Sequence, residues 1–283
     1  LSIYKYTMTT YTDPNATYIF IDGSYYCFHR YYSVINWWNA RYNGEPLEDP
    51  YQNQEFLEKF KQTFVETITE IPTKLNIDAT IKPKIIVGRD CKRENIWRME
   101  LHNKYKGTRI KKDGFKGKPF FAMAYEEPLF EKAGVEQVLY HPKLEADDCI
   151  AITVKHLIKE TPNCTIYIIT SDRDYLQLNA PNVKIFNLAY KNIAENKTTR
   201  EEAVRDLQIK ILSGDISDNI PSVFPKCGPK TAIKCIEDPE FFKTKMNDNE
   251  DYYKQYEKNK TLIDFDNIPN DLANEFKLLN HLL

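Results

Sequence analysis

Apolar residues along this chain occur in two rhythms. Short uninterrupted runs, TYIFI at 17–21, KIIVG at 84–88 and TIYIIT at 165–170, are each followed within two residues by an aspartate: Asp22, Asp90 and Asp172. Runs of this length, rich in β-branched residues, predict buried strands that stop at acidic turns. A fourth strand is expected over 183–188. Elsewhere the apolar residues take helical spacing, over 25–37, 52–75, 94–105, part of 120–134, and 145–159. Ser24 is expected to cap the first of these helices. Phe56, Phe60, Phe64, Val65 and Ile68 share one face of the second. Strands alternating with helices predict an α/β domain built on a mainly parallel sheet flanked by helices.

After about residue 190 the strand signals end and helical ones continue to the terminus. We therefore expect a tail over 1–16, an α/β core over 17–190 and a helical region over 191–283. No apolar run has the length of a membrane span, and the first residues lack a signal-peptide core. An intracellular, soluble and monomeric protein is expected. The composition, 42% hydrophobic and 28% charged, is that of a globular chain. Six scattered cysteines form no C-x-x-C pair, so buried free thiols are expected instead of a zinc or disulfide framework.

The acids carry the chemistry. In parallel α/β sheets the carboxyl ends of the strands line one crevice. Asp22, Asp90, Asp172 and Asp174 follow strands, and Glu145, Asp147 and Asp148 open a helix. Asp215 and Asp218 are expected at the same rim. A strand-end aspartate is commonly only a helix cap. Three strands and a helix delivering acids to one end are harder to explain that way. Crowded carboxylates raise one another's pKa and are held ionised most readily by added cations. Oxygen ligands without imidazole or thiolate suit two Mg²⁺ or Mn²⁺ ions, which can clamp a phosphodiester.

Charge patterning points to a polyanionic partner. The net charge is −2, but setting the nine acids aside leaves +7 for the rest of the chain. Lys104, Lys106, Arg109, Lys111, Lys112, Lys116 and Lys118 crowd one segment, opposed there only by Asp113. Lys106 and Arg109, with Arg98 on the expected helix before them, are candidates for fixed cations beside the metals. Among Tyr25, Tyr26, Phe28, Tyr31, Tyr32, Trp37 and Trp38, most rings are expected in the core and one or two on nucleic-acid bases.

The motifs IFIDGS (19–24), LEADD (144–148), TSDRDYLQL (170–178) and GDISDNIPSVFPKCGPKTA (214–232) come in the order of the flap endonuclease superfamily. The chain resembles the 5′ nuclease domain of bacterial DNA polymerase I and bacteriophage 5′-3′ exonucleases over roughly residues 18–236. That resemblance implies a PIN-like core, a helical arch over about 106–134 and a helix–three-turn–helix unit. It implies two-metal hydrolysis of DNA near a 5′ end, in replication or repair. By position, Asp22, Asp90, Glu145, Asp147, Asp148, Asp172, Asp174 and Asp218 match the family's metal-site carboxylates, and Asp215 a further acid. Lys106 and Arg109 match basic residues that contact the scissile phosphate. Lys111, Lys112, Lys116 and Lys118 fall in the arch. Lys226, Gly228, Lys230 and Thr231 fall in the turn that grips duplex DNA, where relatives often hold K⁺.

Ser222 and Lys226 stand where the family often has glycine, and His29 where many relatives have arginine. No sliding-clamp motif is present. A PIN-type ribonuclease and a non-catalytic binder of branched DNA are the competing readings. The duplex-grip block weighs against the first, and the full set of acids against the second.

Overall fold

The computed structural model describes residues 11–108, 115–194 and 200–282. Five strands, β1 (Thr17–Asp22), β2 (Lys84–Gly88), β3 (Gln137–Leu139), β4 (Thr165–Ile169) and β5 (Val183–Phe186), form one parallel sheet in the order β3-β2-β1-β4-β5. β1 is central, with Ile21 level with Val87 on one side and Ile169 on the other. The carboxyl ends of β1, β2 and β4 are therefore adjacent, and the chain order of the acids becomes a spatial cluster.

Alternation along the strands feeds two cores. Tyr18, Phe20, Ile86, Ile166 and Ile168 face a core shared with α6 (Ala146–Glu160) and the C-terminal α11 (Asn270–Leu279). Ile19, Ile21, Ile85, Val87 and Ile169 face the other core. That one is shared with α1 (Gly23–Arg41), α2 (Gln54–Lys74), α4 (Lys118–Glu126) and α5 (Leu129–Lys132). Phe56, Phe60 and Phe64 of α2 are fully buried there, as their spacing predicts. All six cysteines are buried free thiols.

Beyond residue 200 the described chain is helical: α7 (Arg200–Ser213), α8 (Pro229–Glu237), α9 (Pro239–Asn247), α10 (Asp251–Ile263) and α11. This region does not stand apart. Phe265, Leu272 and Phe276 pack into the first core, and Asn280 O accepts a hydrogen bond from the Gln137 amide. No helix of the described residues is long and apolar enough to cross a membrane.

Three local expectations are corrected. Asp22, not Ser24, caps α1, its Oδ1 accepting the Tyr25 amide at 3.0 Å. A carboxylate is the stronger acceptor at a helix N-terminus, which frees the Ser24 hydroxyl for Asp90. The continuous helix over 94–105 is instead a 3₁₀ turn (Arg93–Asn95), a single turn α3 (Arg98–Leu101) and a loop. Trp97 and Arg98 must both point inward to Asp148, and those buried bonds override helical propensity. β3 has no signal in the sequence, because three residues carry too little alternation to mark a strand.

Within the basic stretch, α4 and α5 bury Phe120, Met123, Leu129 and Phe130, so 118–132 belongs to the core. Arg109, Lys111 and Lys112 lie outside the described residues.

Candidate metal-dependent active site

Asp22 ends β1, and its Oδ2 accepts the Tyr175 hydroxyl at 3.3 Å. Asp90 lies beyond β2, taking the Ser24 hydroxyl on one oxygen and the Ala146 amide on the other at 2.8 Å. That amide belongs to the first turn of α6, so Asp90 ties β2 to the helix carrying Asp147 and Asp148. Asp172 follows β4 and accepts the Asp174 amide at 2.9 Å. Among the described residues, no Lys or Arg pairs with Asp22, Asp90 or Asp172. Amides and hydroxyls hold them, and their charge is left for something else to balance.

The electrostatics register that crowding. Burial, then the neighbouring Asp90 and Asp172, push the Asp22 carboxyl up to about 7. Burial, then Asp148 and Glu145, push Asp147 well above the usual carboxylate range. Asp174 is raised by burial against the opposing pull of Lys210. Burial also acts to raise Asp215, but hydrogen bonds from Lys210 and Ser217 win and take it below the usual value.

A buried scaffold supports the acids from below. Asp148 is fully buried, and the Arg98 guanidinium forks onto its two oxygens at 2.7 and 2.8 Å. The same guanidinium reaches Glu145 at 3.1 Å and the Leu262 carbonyl at 2.8 Å, while Trp97 Nε1 donates to Asp148 at 3.0 Å. Glu145, Asp147 and Asp148 have oxygens within 4.8 Å of one another, close enough to share an ion. Asp148 is nonetheless spent on Arg98 and Trp97, so it positions Glu145 and α6 instead of facing the cleft. Arg98, only 2% exposed, is likewise a buried strut and not the phosphate-facing cation expected from its place in the sequence.

Lys106 does face the site. Its ammonium donates to Glu145, and its amide binds the Asp218 carbonyl at 2.8 Å. The Tyr105 hydroxyl bridges Glu145 and Asp218, 3.1 Å from each. Asp147, Asp174, Asp215 and Asp218 line one small cavity with Tyr105 and Lys210. The acids thus gather at one end of the sheet, with Asp147, Asp174, Asp215 and Asp218 lining the cavity and Asp148 buried beneath it.

Sequence reasoning missed Tyr105, Tyr175, Trp97 and Lys210. The three rings look like ordinary core aromatics in the sequence. Lys210 is a lone lysine on a helix, with no local signal.

The downstream turn depends on glycine. Gly214 has φ +74°, and a Cβ there would collide with the Ile220 carbonyl oxygen, so only glycine allows the turn into Asp215. Gly228 is extended, starts α8 and has open space where a Cβ would stand, leaving room for a ligand's close approach. Thr231 Oγ1 returns to the Lys226 carbonyl at 3.4 Å. Lys226 itself sits at φ +61°, the left-handed conformation that glycine adopts freely. Lys226→Gly should therefore stabilise the protein by about 0.5–1 kcal/mol in urea melts. A loss of stability would show that the lysine side chain compensates for its backbone. Of the other expected DNA contacts, Lys116 donates to the Glu48 carbonyl, and Lys118 and Lys230 are exposed. Phe28 and Tyr32, each 43% exposed, are the rings of α1 open to a base, whereas Tyr26, Tyr31 and Trp38 are core.

The donor set fits hard divalent ions: carboxylates only, several without a protein cation, and with raised proton affinity at Asp22, Asp147 and Asp174. Raised carboxyl pKa values mean the metal-free fold binds more protons than the unfolded chain between about pH 4 and 7. Asp22 therefore destabilises the metal-free protein as pH rises through that window, by up to about 1.4 kcal/mol per pH unit. Without metal, Asp22→Asn should melt above the wild type at pH 7.5, and the gap should narrow as pH falls and close below about pH 4. A gap independent of pH would mean that Asp22 is not crowded.

Comparison with known proteins adds four findings. Residues 17–208 match the family described as 5′-3′ exonuclease, N-terminal resolvase-like domain. The chain is 29% identical over 255 residues to a 5′-3′ exonuclease of Buchnera aphidicola subsp. Acyrthosiphon pisum, covering 88% of this chain and 77% of that one. It is 30% identical over 210 residues to ribonuclease H of enterobacteria phage T4, covering 67% of each. It shares its fold with the bacteriophage T5 D15 flap endonuclease, solved as a pseudo-enzyme-product complex with DNA and metal ions. The TM-score is 0.58 at 17% identity, over 94% of this chain and 98% of that one.

Proposed function

Since this chain belongs to the 5′-3′ exonuclease family, we propose that it hydrolyses DNA phosphodiesters at or near 5′ ends, using two Mg²⁺ or Mn²⁺ ions. The observation that carries this is the gathering of acids: Asp147, Asp174, Asp215 and Asp218 line one cavity, Asp22, Asp90 and Asp172 meet Asp147 around Tyr175, and Glu145 lies beside Asp147. Asp22, Asp90, Glu145 and Asp147 would hold one ion, and Asp172, Asp174, Asp215 and Asp218 the other. Bound divalent ions offset phosphate charge and make a water more acidic.

The chain's own groups do the rest. Lys106 supplies a positive charge at the cleft edge, positioned by Glu145 and the Asp218 carbonyl to meet a phosphate oxygen. Arg109, Lys111, Lys112, Lys116 and Lys118 would bind the strand that enters the site. The Lys226 to Thr231 turn offers backbone amides, Gly228's open approach and the charge of Lys230 to duplex phosphates. Its carbonyls and the Thr231 hydroxyl offer oxygens suited to K⁺. Flap and exonucleolytic substrates both fit this arrangement. The likeness to phage T4 ribonuclease H supports a further capacity for 5′ RNA primers on DNA.

The test is cleavage of a 5′-labelled flap duplex, with and without Mg²⁺, beside a 5′-RNA-primed duplex, a matched single strand and an RNA hairpin. Metal-dependent cutting near the 5′ end of the branched or primed duplex is expected. Preference for the hairpin would favour a ribonuclease of the PIN type. Binding of the flap without cutting would favour a structural role.

A further inference from the structure

We propose that Lys210 is a resident counter-cation of the downstream metal site, holding Asp174 and Asp215 together in the metal-free protein and leaving when a divalent ion binds. Lys210 projects from α7, and its ammonium lies 2.7 and 2.8 Å from the two oxygens of Asp174 and 2.7 Å from Asp215 Oδ2. An ammonium has three N–H donors, and here three carboxylate oxygens surround it. The other Asp215 oxygen accepts the Ser217 amide at 2.8 Å and the Ser217 hydroxyl at 2.6 Å. Both carboxylates are thus oriented and occupied before any metal arrives.

The arrangement is one-sided. Among the upstream acids, Asp22 and Asp90 are held by neutral donors, while Glu145 meets Lys106 and Arg98. A divalent ion taking oxygens from Asp22 and Asp90 displaces no protein cation from either. An ion taking oxygens from Asp174 and Asp215 has to share them with a positive charge already within hydrogen-bond distance of both. Repulsion at that range in a partly buried cavity disfavours joint occupancy. The lysine therefore weakens the downstream ion relative to the upstream one. It also spares the metal-free fold the repulsion between two adjacent acids. Lys210 is a positioning residue in this reading, which rests on the two-metal assignment above.

Two measurements test it. Amine-reactive labelling of the wild type, mapped by mass spectrometry, should show Lys210 modified severalfold faster in saturating Mg²⁺ than in EDTA. Unchanged or slower labelling overturns the proposal, and no variant has to fold for this outcome to be read. In Mn²⁺ titrations by calorimetry, the wild type should bind two ions unequally. Lys210→Met should bind the weaker ion at least tenfold tighter, with a lower melting temperature in EDTA, while Lys210→Arg should behave as wild type. A merely structural loss would weaken both ions, and that result, or an unchanged weaker ion, overturns the proposal. If the wild type bound no Mn²⁺ at all, the metal-dependent reading itself would fall. Two ions bound by the wild type, with no gain in Lys210→Met, would remove the lysine's role alone.

Discussion

Replacing Asp172 with asparagine should lower cleavage at least about a thousandfold while leaving the protein folded and bound to branched DNA. Asp172 is exposed at the end of β4, and its structural duty is to accept the Asp174 amide on Oδ1. Asparagine keeps that acceptor, so the local 3₁₀ turn survives. What it loses is a full charge in the proposed metal-binding set. DNA binding should hold or tighten slightly, because one negative charge near the phosphate path is gone. Single-turnover cleavage of a flap duplex and its binding in Ca²⁺ give the two readouts. Wild-type cleavage in this variant would mean that the carboxylate cluster is not the reacting centre.

Arg98→Met should cost about 3–5 kcal/mol of stability, the largest effect on folding that this site predicts. The guanidinium is buried with Asp148 and Glu145, and removing it leaves Asp148 without a cation away from water, while Glu145 keeps Lys106. Burial works against the charged arginine, but Asp148, Tyr105 and Glu145 hold it firmly protonated. The cost is therefore the desolvation of the orphaned Asp148 more than the loss of an attraction. Arg98→Met combined with Asp148→Leu should recover over half of the lost stability, since an apolar pair of similar volume needs no charge balance. Urea melts of the two single variants and the double variant decide this. An additive double variant would mean that Arg98 and Asp148 are not coupled, against the geometry.

The two predictions concern different layers of the site. Asp172 faces the cleft and is expected to act on chemistry with little effect on folding. Arg98 lies beneath it and is expected to act on folding first. A sequence motif does not separate these layers, because LEADD places Glu145, Asp147 and Asp148 side by side. Helical geometry does: Asp147 turns toward the cleft and Asp148 into the core.

The strands β1, β2, β4 and β5, the long helices and the strand-end acids were legible in the sequence. Each is fixed by a local property: an apolar run, a 3.6-residue period, or a carboxylate at a turn. A parallel sheet then has little freedom about where those acids go, since its carboxyl ends share one edge. The tertiary structure alone decided which charges meet. Arg98 pairs with Asp148 from 50 residues away, Lys210 with Asp174 from 36, and Tyr105 with Asp218 from 113. Partners of that kind leave no periodicity and no neighbouring motif, because they are selected by the packing of separate elements, and only the folded chain brings their atoms within a hydrogen bond.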